Sequence, residues 1–224
     1  MDYKNKKIGS YETLWVYQKS ECVYDITYYF VSHFLDRVHD RTADQMQQAA
    51  RSGKQNIVEG YSDAEGSSGS HHKLTVIAKG SLEELKEDYR DYLRNHELEL
   101  WGPQHPKYLA SVPLFKKHND SAYYRRQIEG RSDEDIANIA LIVIHQTLAL
   151  LRNLIDDIDR RFLSEGGIKE QRYRARLEYR EGGRYGRCGR YGTSSAPSTT
   201  STPSTTSTTS TPSTTSTTST TSTK

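Results

Sequence analysis

The stretch "AARSGKQNIVEGYSDAEGSSGS", Ala49 to Ser70, decides the fold because it closes one helix and opens the way to the next. Ala43, Met46, Ala50, Gly53 and Ile57 recur at helical spacing on one face. Residues this small let a neighbouring helix backbone come close, which accounts for Gly53 although glycine costs about 1 kcal/mol against alanine in a free helix. Asn56 falls at the edge of that face, where a buried amide needs partners. Glu59 in a last turn opposes the helix dipole by about 0.3–1 kcal/mol. The expectation is therefore a structural bracket: Glu59 pairs with a cation or accepts from exposed backbone N–H groups such as those starting the next helix, and Gly60 lets the chain turn. The spacing predicts a helix over Thr42–Glu59, with Thr42 as its cap and Gln45 reaching back to it.

Three further helices follow from the same periodicity. Tyr11–Leu35 lacks Gly and Pro and carries two apolar stripes, Leu14, Tyr17, Tyr24, Tyr28, Val31 and Leu35 beside Val16, Val23, Ile26, Phe30 and Phe34. Two stripes imply two surfaces to bury, one in its own core and one against another subunit. His72–Asn95 places Leu74, Ile77, Ala78, Leu82, Leu85, Tyr89, Tyr92 and Leu93 inward, and "GPQHPKY", Gly102–Tyr108, interrupts it. The last begins at Ser132 and Asp135, which resemble a capping box, runs apolar from Ile136 to Phe162, and stops at "EGG", Glu165–Gly167. No segment alternates like a strand, so the expected fold is all-α, an antiparallel four-helix bundle.

The organisation divides into an N-terminal arm (1–10), helices one to three (11–101), an insertion (102–131) with a short helix at Ser121–Glu129, the fourth helix (132–167), a basic segment (168–192) and a tail (193–224). Only 33% of the 224 residues are hydrophobic, in keeping with a part of the chain that packs against nothing. From Ser194 the tail is almost entirely Ser, Thr and Pro, a composition expected to stay disordered. The N-terminus lacks the apolar run of a secretory signal, and the best candidate for a membrane span, Ile136–Leu151, is interrupted by Asn138, His145, Gln146 and Thr147. A cytoplasmic location without a membrane partner is the expectation. Cys22 and Cys188 form no metal or disulfide pattern.

Catalytic signals are weak. His71 and His72 are adjacent and point to different sides of a helix, suiting a surface helix start; Glu83, Glu84, Glu87, Asp88 and Asp91 suit a solvated face; His145 suits a core or interface position. The Glu-x-x-His pattern of carboxylate-bridged metal sites is missing, as are a phosphate-binding glycine loop and a nucleophile elbow. No catalytic residue, metal or cofactor is expected.

Three ordered segments, "LWVYQKSECVYDITYYF", "DQMQQAARSGKQNIVEG" and "KLTVIAKGSLEELKEDYRDYL", resemble the 23S rRNA intervening sequence protein family of four-helix bundles. The Asn-Ile-x-Glu-Gly and Gly-Ser-Leu-x-Glu-Leu elements of that family occur at Asn56–Gly60 and Gly80–Leu85, within a likeness spanning about Leu14 to Trp101. With Gly53, the residues Asn56, Glu59, Gly60, Gly80, Ser81 and Glu84 form its structural signature here. The continuation from Asp133 to Arg172 is similar to the subgroup with a four helix bundle suffix domain. The resemblance implies a homo-oligomeric ring, typically a pentamer. It extends distantly to the accessory variability determinant of diversity-generating retroelements, a basic pentameric barrel that binds nucleic acid and a reverse transcriptase.

Charge adds a separate signal. Between Arg172 and Tyr191 there are seven Arg and two Glu, a local +5, so within a total of +2 the rest of the chain carries −3. Arg172, Arg174, Arg176, Arg180, Arg184, Arg187 and Arg190 alternate with tyrosines that include Tyr185 and Tyr191, and glycines from Gly182 onward are expected to keep the segment flexible. Arginine meets phosphate while tyrosine stacks on an unpaired base, so RNA or single-stranded DNA is the expected partner. A second possibility is a scaffold that recruits a protein partner through the ring surface or the insertion.

Overall fold

The computed structural model describes residues 10–36, 38–64 and 66–187, with side chains through Arg180. The chain divides into two compact units, 1–181 and 182–224; in the second, the described backbone, 182–187, is helical. The described residues are all-helical, with no strand. After a 3-10 turn at Tyr11–Thr13 come α1 (Trp15–Phe34), α2 (Arg41–Asp63), α3 (Ser68–Asn95), α4 (Pro106–Lys117), α5 (Ser121–Ile128), α6 (Asp133–Glu165) and α7 (Ile168–Arg187).

Each of the four long helices α1, α2, α3 and α6 packs against two of the others. Tyr92 Oη at the end of α3 donates to Asp133 at the start of α6 (2.9 Å), while His72 at the start of α3 pairs with Asp159 near the end of α6 (3.4 Å), so these two helices run antiparallel. The core between the four is apolar, with Ile26, Phe30, Met46, Leu82, Leu85 and Ile139 fully buried or nearly so. Tyr89, also in it, satisfies its hydroxyl by donating to Thr27 Oγ1 (3.1 Å). Val16, Val23, Ile26 and Phe30 of the second α1 stripe are buried, whereas Tyr17 and Tyr24 of the first are half-buried and Tyr28 is exposed.

Several boundaries differ from the sequence expectation. Asp40, not Thr42, caps α2, accepting from Thr42 N (2.8 Å), and α2 continues past Gly60 to Asp63. α3 starts four residues earlier than expected because Ser67 caps it through Ser70 N (3.2 Å). Ser132 does cap α6, accepting from Asp135 N (3.2 Å). By composition α6 has a window apolar enough to cross a membrane, contrary to expectation, but more than half of that window is buried inside the protein.

The insertion is mostly helical. Pro106 occupies the first turn of α4, where a missing N–H costs nothing, and Pro113 is exposed within it. The loop before α4 is pinned to α6 by Asn138, 2% exposed, whose Oδ1 accepts from Trp101 N (2.8 Å) and whose Nδ2 donates to Glu99 O (2.8 Å) and Glu134 O (2.9 Å). The loop after α4 is pinned to α1 by Lys19, also 2% exposed. Its ammonium donates to Phe115 O, to His118 O (2.6 Å) and to Tyr124 Oη (2.7 Å). All three donors are used at the negative end of the α4 dipole, without a carboxylate among them.

Burial pushes the Lys19 amine down to about 8 from 10.5, opposed by the neighbouring Cys22 thiol. Below pH 8 both folded and unfolded chains hold the proton and the full cost of burying the charge applies. Between pH 8 and 10.5 the unfolded chain holds more protons than the folded one, so stability attributable to this group rises with pH. Lys19→Met leaves two carbonyls without their cation and should cost on the order of 2–4 kcal/mol at pH 7. The deficit of the variant relative to wild type should widen in urea titrations repeated from pH 7 to pH 10; a deficit independent of pH would contradict the assignment.

Candidate nucleic-acid interface

Of the residues in the opening stretch, Gly53 and Gly60 meet α3 directly. A Cβ at Gly53 would stand 2.6 Å from Leu82 Cδ2, and one at Gly60 would stand 3.3 Å from Leu74 Cβ. Gly60 is thus a packing glycine inside α2, not the residue at which the helix ends. Asn56 is half-buried and donates within its own helix, to Ser52 O (2.9 Å) and Ser52 Oγ (3.2 Å); Ser52 in turn shares a hydrogen bond with Ser81 Oγ (2.9 Å). Glu59 departs from the bracket expectation. It is exposed, precedes the last turn of α2, and pairs with nothing among the described residues, because Ser67 already serves the first turn of α3. Ser81 and the exposed Glu84 line an open groove of about 620 Å³ with Arg41, Gln45 and Ser52. Gly80 is exposed, and beyond its own helix backbone nothing lies within 4 Å of where a Cβ would be.

The basic segment lies on α7, reached through a sharp corner. Gly166 at the end of α6 has φ 76°, a left-handed conformation that suits glycine, and its N–H donates to Phe162 O (3.0 Å). Gly167 N donates to Glu170 Oε2 (3.2 Å), which starts α7. Ile168, Gln171 and Ala175 are half-buried at three- and four-residue spacing, the face turned to the rest of this unit. From Arg176 to Arg180 every residue is exposed. Arg172, Arg174, Arg176 and Arg180 are exposed, and none pairs with a carboxylate among the described residues. Tyr173 and Tyr179 are 63% and 84% exposed.

In the segment expected to be flexible from Gly182 onward, the described backbone is helical through Arg187, Gly182, Gly183 and Gly186 included. The side chains of Arg184, Tyr185 and Arg187, and Arg190, Tyr191 and the tail 193–224 altogether, lie outside the described residues.

The histidines considered for chemistry are dispersed. His71 is half-buried, its imidazole held below the usual range by burial and by Arg161; His72 faces Asp159; His145 is exposed on α6 and so lies outside the core of the single chain. Among the described residues no three His, Cys, Asp or Glu side chains converge as metal ligands.

The two glycines of the signature should respond with opposite signs. Gly53→Val forces a branched side chain into the buried Leu82 and should destabilise by about 1–3 kcal/mol, whereas Gly80→Ala, with open space around it, should gain about 0.5–1 kcal/mol from helix propensity. Denaturant unfolding at a concentration where the protein is monomeric measures both; equal effects would contradict the packing described.

No family model matches the chain, and neither the curated proteins nor the solved structures contain a match to it.

Proposed function

We propose that this chain is a non-enzymatic, homo-oligomeric nucleic-acid-binding protein, in which an antiparallel four-helix bundle formed by α1, α2, α3 and α6 carries an exposed basic helix. The observation that carries the proposal is the set of arginines on α7 that protrude without carboxylate partners. An arginine left unpaired in water is free to displace counterions from a phosphate backbone, the sequence-independent source of most nucleic-acid affinity. Binding through phosphates applies to RNA as to DNA.

The family reading, a member of the 23S rRNA intervening sequence proteins, rests on the Asn56–Gly60 and Gly80–Leu85 elements and on the antiparallel pairing of the helices that hold them. Assembly into a ring, with five subunits as the family resemblance implies, is supported by the outer face of α3. Val76 and Ile77 are 43% and 41% exposed there, beside a glycine with nothing near it. Solvent gives no reason for valine, isoleucine and glycine at those positions, and a second copy does. In a ring, several α7 helices would act on one polyanion and raise avidity without further interactions per helix.

Light scattering should give a mass several times that of one chain. Electrophoretic shift with a labelled RNA should show binding that weakens steeply with salt and is lost when the chain ends after Gly167. Binding that persists unchanged after this truncation would remove α7 from the function, and co-purification of a protein partner without nucleic-acid binding would favour a scaffold.

A further inference from the structure

The helical conformation of the basic segment changes which nucleic acid it suits. In an alternating "RYRAR" chain that is extended or flexible, arginine and tyrosine take turns, as a single strand requires. On a helix, at about 100° per residue, the same residues sort by side. Lys169, Arg172, Arg176 and Arg180 fall within a sector of about 80°, bordered by Tyr179 on one edge and Tyr173 on the other. Glu170 and Glu178 lie outside that sector, and Ile168, Gln171 and Ala175 occupy the side turned to the rest of the unit. The outcome is a one-sided cationic ladder about 16 Å long, with rungs about 6 Å apart from Arg172 onward.

We infer that α7 is a groove-binding helix whose ligand is double-stranded DNA, held by the Lys169–Arg172–Arg176–Arg180 ladder against the phosphates that border the major groove. The inference rests on the nucleic-acid reading above and narrows it. A helix with its side chains is about 10–12 Å across, and the B-form major groove is about 12 Å wide. The deep groove of A-form RNA is too narrow to take it. Around residues 176–180 all sides of α7 are exposed, so a duplex can approach without meeting the body. Single-strand binding wants successive rings for successive bases. Here the two tyrosines stand on opposite borders of the ladder, about 9 Å apart along the axis.

Two other partners fit α7 less well. A second α7 would need apolar residues at each inward position of a coiled coil, but the line that begins with Tyr173 and Leu177 goes on to Arg180, Glu181 and Arg184. An anionic membrane would need a continuous apolar face opposite the charges. Apart from Tyr173, Tyr179 and Leu177, the last 39% exposed, the protruding part presents only charged side chains.

The test uses the full chain and fluorescence anisotropy with three labelled probes of one 20-nucleotide sequence: duplex DNA, its single strand, and the duplex RNA. Duplex DNA should bind at least tenfold more tightly than either of the others. In the triple variant Arg172→Ala, Arg176→Ala, Arg180→Ala, the slope of log affinity for duplex DNA against log salt should shrink by about 2–3, near 0.9 for each phosphate that is no longer neutralised. Leu177→Pro keeps every charge but breaks the helix where it stands clear of the body. It should abolish the duplex preference while thermal unfolding of the body stays unchanged. Equal or tighter binding of the single strand or of duplex RNA, or a Leu177→Pro variant that still prefers duplex DNA, would overturn the inference while leaving nucleic-acid binding in place. If none of the probes binds at low salt, both fall.

Discussion

Nine consecutive residues of α6, Ile136 to Ile144, are buried. A run that long passes through more than two turns, so the helix must be covered on every side there. α1 and α3 account for two sides. α4 and the loop that ends at Trp101 close the third. The segment between α3 and α6 is therefore a wall of the core. Without it, part of the apolar run of α6 would face water at about 25 cal/mol for each Å² exposed.

Covering α6 in this way requires a polar connection to be held against an apolar helix, which leaves backbone groups to satisfy. Two buried polar side chains meet that requirement, each at one end of α4. Asn138 exchanges hydrogen bonds with the incoming loop, and Lys19 supplies a cation to the outgoing carbonyls. Both residues interrupt otherwise apolar stripes. An apolar substitute would pack as well against α6 or α1 but would orphan the loop, which is why the core tolerates them.

This division explains what could be read in the sequence. α1, α3 and α6 are long and periodic, and their cores are set by spacing alone. α5 was legible to within a residue because Asp120 and Ser121 precede a short amphipathic run. α4 was not legible: Pro106 and Pro113 suggest breakers until it is clear that one sits in the first turn and the other on an exposed face. Gly60 deceived in the same manner, since a glycine that stops a helix and one that admits a neighbour look alike in a single sequence. Only the position of Leu74 tells them apart. The partners of Lys19 lie about a hundred residues away, beyond any local signal.

The basic helix obeys a different logic from the core. Its glycines, poor helix formers, were expected to loosen it, yet glycine costs only about 1 kcal/mol in a helix and the intervening Arg, Glu, Ala and Leu favour one. Beyond Ala175 its exposed positions have no packing to hold them, so an isolated helix of this length is marginal in water. A ligand that binds the helical form stabilises it in proportion to its affinity. The remainder of the chain carries a net −3, so its average field does not favour a polyanion. Under the proposed function, charge segregation and marginal helicity act in the same direction: they would confine polyanion binding to α7 and make the order of α7 depend on that binding.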